Sequence, residues 1–217
     1  RIVPAVCDIV DIAGLVKGAS KGEGLGNQFL ANIRECDAII HVLRCFDDSG
    51  IVHVDGSVDP VRDKEIIDME LQLKDLETLE NRAKRVEKAA RVGGDKAAKI
   101  EMDVIDTYRK VLLEGKSART VTFDTEDEQA AAKSLFLLTA KPVLYVCNVD
   151  DKSASTGNEH TARVAEAIKD EDAEMLIISA QTEADIAELE TYEEKQMFLE
   201  DMGLTESGCN RLIKAIY

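Results

Sequence analysis

Two kinds of apolar pattern alternate along the chain. Continuous runs at residues 3–12, 38–46, 142–148 (PVLYVCN) and 174–179 (EMLIIS) predict strands covered on both faces. Elsewhere apolar residues recur three and four apart. Phe29, Leu30 and Ile33 mark one face of a helix over 28–35, and residues 47–60, punctuated by Gly50, Gly56 and Pro60, read as loop. No Gly or Pro interrupts residues 61–92, about 48 Å of helix at about 1.5 Å per residue. Its stripe passes through Met69, Leu73, Leu76, Leu79, Ala83, Val86 and Ala90. Gly93-Gly94 breaks it, and a second helix is predicted over 95–113, with Ala97, Ile100, Val104, Tyr108 and Val111 facing inward. Two long helices about a Gly-Gly turn predict an antiparallel coiled-coil hairpin. Further helices are predicted over 125–138, 160–169, 191–202 (closed by Gly203) and 206–217 (capped by Thr205). The pattern predicts an α/β fold with a mostly parallel sheet, formed by residues 1–59 and 140–217. A helical insertion over 60–139 divides it.

Composition narrows the partners. At 217 residues with 45% hydrophobic content, the chain can bury a core as one large domain or two small ones. A net charge of −16 argues against a surface that grips nucleic acid or anionic membrane all over. Cys7, Cys36, Cys45, Cys147 and Cys209 are odd in number, scattered and never in C-x-x-C spacing, which predicts buried reduced thiols rather than disulfides or zinc. No apolar run reaches membrane-spanning length and no signal peptide is present, so a cytoplasmic location is expected. Arg1 stands just before a strand without an initiator Met, and Tyr217 falls inside an amphipathic pattern. A segment of a longer protein is expected.

The chemistry gathers at strand ends. The first apolar run leads into Asp11-Ile12-Ala13-Gly14, a D-x-x-G spacing, then a loop with Gly18, Gly22, Gly24 and Gly26. In nucleotide-hydrolysing switches such an aspartate reaches a magnesium through water, and the glycine offers its N–H to the terminal phosphate. A glycine-dense loop permits the backbone rearrangement that a switch needs. The penultimate strand ends at Asn148-Val149-Asp150-Asp151, in the place of an N-K-x-D base-reading motif, and the last at Ser179-Ala180. Asn148 is placed to bond a base edge, and the Ser179–Ala180 backbone to face its exocyclic group. Taken singly, Asn and Asp after a strand are ordinary Asx turns. Three signatures in this order at the carboxyl edge of a parallel sheet point to a nucleotide. No G-x-x-x-x-G-K-[ST] phosphate loop occurs in the sequence.

These stretches carry a resemblance. DIAGLVKGASKGEGLGNQFLANIRECDAIIHVLRCF, HVDGSVDPVRD, LLTAKPVLYVCNVD and the run from Ser179 to Leu189 resemble the YchF/Obg-like ATPase family of translation-factor P-loop NTPases across nearly the whole chain. The resemblance implies a Ras-like P-loop NTPase domain with an inserted coiled coil. The phosphate loop, the first switch and a TGS domain would lie outside the sequence. It implies Mg²⁺ as cofactor, ATP or GTP as substrate, and the ribosome or ribosomal RNA as partner. No DNA sequence specificity is expected. Leu15 stands where Ras-like switches keep a water-orienting glutamine, which implies slow hydrolysis through another group. Val149 replaces the motif lysine, whereas Asp151 is the residue of guanine-specific proteins rather than the family's glutamate. The resemblance favours ATP.

Charge singles out the hairpin turn. Arg82, Lys84, Arg85, Lys88, Arg91, Lys96 and Lys99 face only Glu87 and Asp95 between residues 82 and 99. Pairing within a solvated helix face cannot neutralise that excess, so Arg82, Lys84, Arg85, Lys88 and Arg91 are candidate contacts for RNA or ribosome. The other reading is a non-catalytic adaptor, whose α/β part only presents the basic turn. His41, His53 and His160 lie apart, and no metal or catalytic role is expected of them.

Overall fold

The strand Val143–Asn148 is buried at every position but its last, so both of its faces are covered. In this computed structural model, residues 6–12, 25–48, 50, 56–92 and 94–216 are described. The elements run α1 (Leu25–Glu35), β1 (Ile39–Arg44), α2 (Pro60–Val92), α3 (Lys96–Leu113), α4 (Glu126–Ser134), β2 (Val143–Asn148), α5 (Glu159–Ile168), β3 (Glu174–Ile178), α6 (Ala180–Glu188), α7 (Tyr192–Asp201) and α8 (Gly208–Ile216). Two units result: residues 1–12, 40–63 and 143–217, and residues 13–39 and 64–142.

The first unit is built on a sheet ordered β1-β2-β3. β2 and β3 run parallel, from Leu144 opposite Glu174 to Asn148 opposite Ile178. The Cys45 N–H donates to the Asn148 carbonyl at 2.7 Å, bringing the carboxyl end of β1 to the same edge. Leu144, Val146 and Ile178 form a core cluster under Leu212 and Ala215 of α8. Asn158 caps α5 and its Nδ2 donates to the Cys45 carbonyl at 2.7 Å, tying that helix to the end of β1. Asp59 accepts from the Arg62 N–H and from the Arg163 guanidinium at 3.0 and 3.1 Å. Slight burial pushes its carboxyl up, but these two donors outweigh it and hold Asp59 below the usual aspartate range.

The start of α8 differs from expectation. Thr205 does not cap it; Ser207 does, its hydroxyl accepting the Asn210 N–H at 3.2 Å, and the Glu183 carboxylate of α6 accepts from the Gly208 and Cys209 N–H groups at 2.5 and 3.0 Å. A carboxylate there complements the positive end of the helix. Gly208 permits the approach, because a Cβ there would sit 2.8 Å from the Ile178 side chain and 2.9 Å from Glu183 Oε1. Gly208→Ala is expected to destabilise the sheet unit by about 1–3 kcal/mol through overpacking. Thermal unfolding checks this, and an unchanged Tm refutes it.

The second unit is helical. Gln72 Nε2 donates to the Gly115 carbonyl at 3.1 Å and Arg82 pairs with Glu101, so α2 and α3 run antiparallel. Gly94 takes φ +63° at the turn, and the Asp95 side chain caps α3. Leu79 and Ala83 of α2 meet Val104, Ile105, Tyr108 and Leu112 of α3, with Leu135 and Leu137 closing the cluster. Leu30 and Ile33 are the buried face of α1, and Lys141 Nζ caps that helix through the Arg34 and Cys36 carbonyls. α4 begins with a reciprocal Thr125–Glu128 capping box.

Both stripes are displaced from their predicted course. Met69 and Leu73 are exposed, while Leu71, Asp75, Leu79 and Ala83 form the buried row at i, i+4 spacing. On α3 the buried residues are Ala98, Val104, Ile105, Tyr108 and Leu112; Ala97 is exposed and Ile100 and Val111 are half-buried. An aspartate in the buried row hid the α2 face from a purely apolar count. Asp75 accepts from the Leu138 N–H at 2.8 Å, the Thr139 N–H at 2.8 Å and the Thr139 hydroxyl at 2.7 Å. Three donors from one turn replace the apolar contact. The same turn stops α4 at Ser134 instead of Leu138. Finally, residues 6–12 form no strand, and Val6, Ile9 and Val10 are exposed. No neighbouring strand among the described residues offers them a hydrogen-bond ladder, and apolar sequence alone cannot hold an extended segment.

Candidate functional site

Loops after β2 and β3 close on one another at the carboxyl edge of the sheet. Asn148 ends β2, and its Oδ1 accepts the Ala180 N–H at 2.9 Å. Asp150 accepts from the Ser153 N–H at 2.9 Å and fixes the 3₁₀ turn Asp151–Ser153. That turn presents the Asp151 carboxylate to the opposite loop. Its Oδ1 accepts the Ser179 hydroxyl at 2.6 Å and the Thr182 hydroxyl at 2.9 Å. Ser179 Oγ in turn accepts the Thr182 N–H at 3.2 Å, capping α6. Asn148, Asp151, Ser179 and Ala180, expected to act together, do form one hydrogen-bonded network. Val149 behaves differently. It is buried, and its N–H donates to the Ile178 carbonyl at 2.9 Å, so its side chain belongs to the fold's interior.

Sequence reasoning missed Thr182 and the whole of α6. Thr182 is 1% exposed and joins both halves of the network. Its signal was present as the Ser-x-x-Thr spacing from Ser179, an N-cap pattern, within a stretch whose Ala and Glu content favours helix.

The remaining candidates fall elsewhere. Asp11 is exposed and makes no hydrogen bond or ion pair among the described residues. Gly14, Leu15, Gly18, Gly22 and Gly24 lie outside the described residues, as does His53, while Gly26 falls within α1. Among the described residues no cluster of His, Cys, Asp or Glu could cage a metal. A magnesium held by substrate phosphates and waters needs only one or two carboxylates, and the exposed Asp11 carboxylate is compatible with that donor set. His160 Nε2 lies 3.3 Å from Asp47, and the His41 ring stacks at a tilt on Tyr145. Cys45 and Cys147 are fully buried side by side, and the hydrogen bond between the thiols together with burial pushes Cys45 up, keeping it a thiol.

On the hairpin, Arg82 is committed to Glu101 and Arg91 pairs with Glu87 at 2.9 Å. Lys84, Arg85 and Lys88 are exposed and unpaired among the described residues. Among the described residues no helix is long and apolar enough to cross a membrane.

Residues 3–82 match the family model described as a 50S ribosome-binding GTPase. Over 219 residues, all of this chain, the sequence is 50% identical to the ribosome-binding ATPase YchF of Bacillus subtilis. It is 41% identical over 220 residues to the Obg-like ATPase 1 of Gallus gallus. The chain belongs to the YchF/Obg-like family. The solved structure of the Schizosaccharomyces pombe YchF GTPase superposes with a TM-score of 0.78 at 32% identity, covering 93% of this chain and 55% of that one. The fold is therefore the P-loop GTPase fold of YchF, α/β with a parallel sheet. The chain spans 59% of the length of the Bacillus subtilis relative and 55% of the chicken one.

Proposed function

We propose that the complete protein is a magnesium-dependent nucleotide switch that hydrolyses ATP, with GTP the second candidate, to nucleoside diphosphate and phosphate on the ribosome. The observation that carries this reading is the network joining Asn148 and Asp151 to Ser179, Ala180 and Thr182 at the carboxyl edge of the sheet. Such an edge is where open α/β folds bind nucleotides. Asn148, Asp151 and the Ser179–Ala180 loop hold the base. Asp11 orients the water shell of the magnesium, which supplies charge neutralisation at the phosphates, and the Gly14 N–H meets the terminal phosphate. Leu15 cannot orient a water, so turnover is slow. Residues outside the sequence cradle the β-phosphate. The preference for ATP is supported by Val149, whose side chain packs inward and places no stem over the base, and by the ATPase names of the bacterial and chicken relatives.

The exposed cations Lys84, Arg85 and Lys88, with Arg82 and Arg91, form the contact to RNA or ribosome, because their charge stands against the −16 of the chain. The test is nucleotide binding and turnover by the complete protein, together with ribosome binding over a salt series. Slow ATP hydrolysis is expected, along with weaker ribosome binding after charge reversal at Lys84, Arg85 and Lys88. A complete protein without nucleotide affinity would instead be an adaptor. Brisk hydrolysis by the 217-residue chain alone would overturn the placement of the phosphate cradle.

A further inference from the structure

The Asp151 carboxylate meets the opposite loop through one oxygen only. Its Oδ1 accepts the Ser179 hydroxyl at 2.6 Å and the Thr182 hydroxyl at 2.9 Å, whereas Oδ2 bonds nothing among the described residues. A carboxylate can only accept, so both hydroxyls donate. Ser179 and Thr182 are 2% and 1% exposed, which puts both donors on the interior side of an exposed aspartate. Two bonds from that side fix rotation about the Cβ–Cγ bond. Oδ1 is held inward, and Oδ2 alone is left for a ligand.

The neighbouring donor is committed as well. The Ala180 N–H already gives its hydrogen to Asn148 Oδ1 at 2.9 Å. The edge of a base that reaches this network therefore meets one open carboxylate oxygen beside a backbone N–H that is spent.

The two purines need different things there. Adenine presents a 6-amine, a donor that a single acceptor satisfies. Guanine presents a 6-carbonyl, which seeks a donor, and N–H groups at positions 1 and 2, which together seek both oxygens of one carboxylate. A site that leaves polar groups of the ligand unpaired discriminates against it. We infer that Thr182 is a positioning residue that sets base preference: with Ser179, its hydroxyl makes Asp151 a single-acceptor reader, which suits adenine and leaves the 2-amine of guanine unmet. The inference rests on the proposed placement of the base at this network. It explains how an aspartate of guanine-specific type serves a chain whose relatives are named ATPases.

In the test, a fluorescent ATP analogue bound to the complete protein is displaced by ATP, GTP or inosine triphosphate. Inosine triphosphate is GTP without the 2-amine, so the ratio of the two affinities reads whether that amine is accepted. In the wild type the two are expected to agree within a factor of about two, and both to bind more weakly than ATP. Thr182→Val keeps the shape of the side chain and removes the hydroxyl, which lets the carboxylate turn. GTP is then expected to gain about three- to tenfold over inosine triphosphate, the scale of one hydrogen bond. Thr182→Ala should move the ratio the same way, and Thr182→Ser should keep the wild-type ratio. A threonine that only supports the fold would lower all three affinities together and leave the ratio where it was. An unmoved ratio in both the valine and alanine variants overturns the inference. So does a wild type that favours GTP over inosine triphosphate by about tenfold, the full worth of the bond. If Asn148→Ala weakens ATP binding while the ratio stays put, the inference fails and the site reading stands. If Asn148→Ala leaves ATP binding unchanged, the base lies elsewhere and both fall.

Discussion

Asp75→Ala is expected to lower the stability of the helical unit by about 3–5 kcal/mol, the largest stability effect of any single substitution considered. Asp75 is 0% exposed and its two oxygens accept three hydrogen bonds from Leu138 and Thr139. Each donor left unmade in a buried place costs about 1–3 kcal/mol. The loss also propagates. The Thr139 hydroxyl accepts the Ala118 N–H at 3.1 Å and the Thr139 carbonyl accepts the Arg119 N–H at 3.0 Å, so one carboxylate organises two turns. Burial pushes the Asp75 carboxyl up, against the pull of its donors and of the Arg34 guanidinium. Asp75→Asn retains one acceptor but turns an amide N–H toward a donor, and a smaller loss of about 1–3 kcal/mol is expected. Urea unfolding of the complete protein followed by circular dichroism measures both. A loss below about 1 kcal/mol for the alanine variant would refute the assignment of Asp75 as the organising residue.

The second large effect concerns nucleotide affinity. Asn148→Ala is expected to weaken binding about 10- to 100-fold, the scale of one or two lost polar contacts at about 1.4 kcal/mol per tenfold. The substitution removes the Oδ1 that accepts the Ala180 N–H and the amide proposed to meet the base. Val149→Ala is the matched control. Val149 is 3% exposed, so its truncation should cost about 1–2 kcal/mol of stability and leave affinity within a factor of about two. A fluorescent ATP analogue titrated into the complete protein separates the variants. Equal losses of affinity would mean that Asn148 acts only by supporting the loops.

The strands and the strand-end residues that the sequence located share a physical reason. β1, β2 and β3 are continuous apolar runs, of which β2 alone is buried along its length while Val42 of β1 is 62% exposed. Asn148, Asp151 and Ser179 stand where the runs of β2 and β3 stop. Local chemistry decides such positions. The parts that were not legible depend on partners distant in sequence. Asp75 reads as a surface charge until Leu138 and Thr139 present their donors, and the stripes of α2 and α3 shift once that carboxylate occupies a buried place. Thr205 is a cap by type, but Ser207 two residues on takes that place and Glu183 from α6 reaches the first N–H groups of α8. Residues 6–12 have strand composition without a neighbouring strand among the described residues, and composition cannot supply one.

The five thiols differ in a way that makes the protein its own stopwatch. Cys7 and Cys209 are exposed and Cys36 is half-buried, whereas Cys45 and Cys147 are sealed at the meeting of β1 and β2. A thiol reagent therefore labels the outer pair at the rate of the reagent and the inner pair only when the sheet opens. Slowed labelling of Cys45 and Cys147 on adding nucleotide would time the tightening of the fold around its ligand, without a probe having to be engineered.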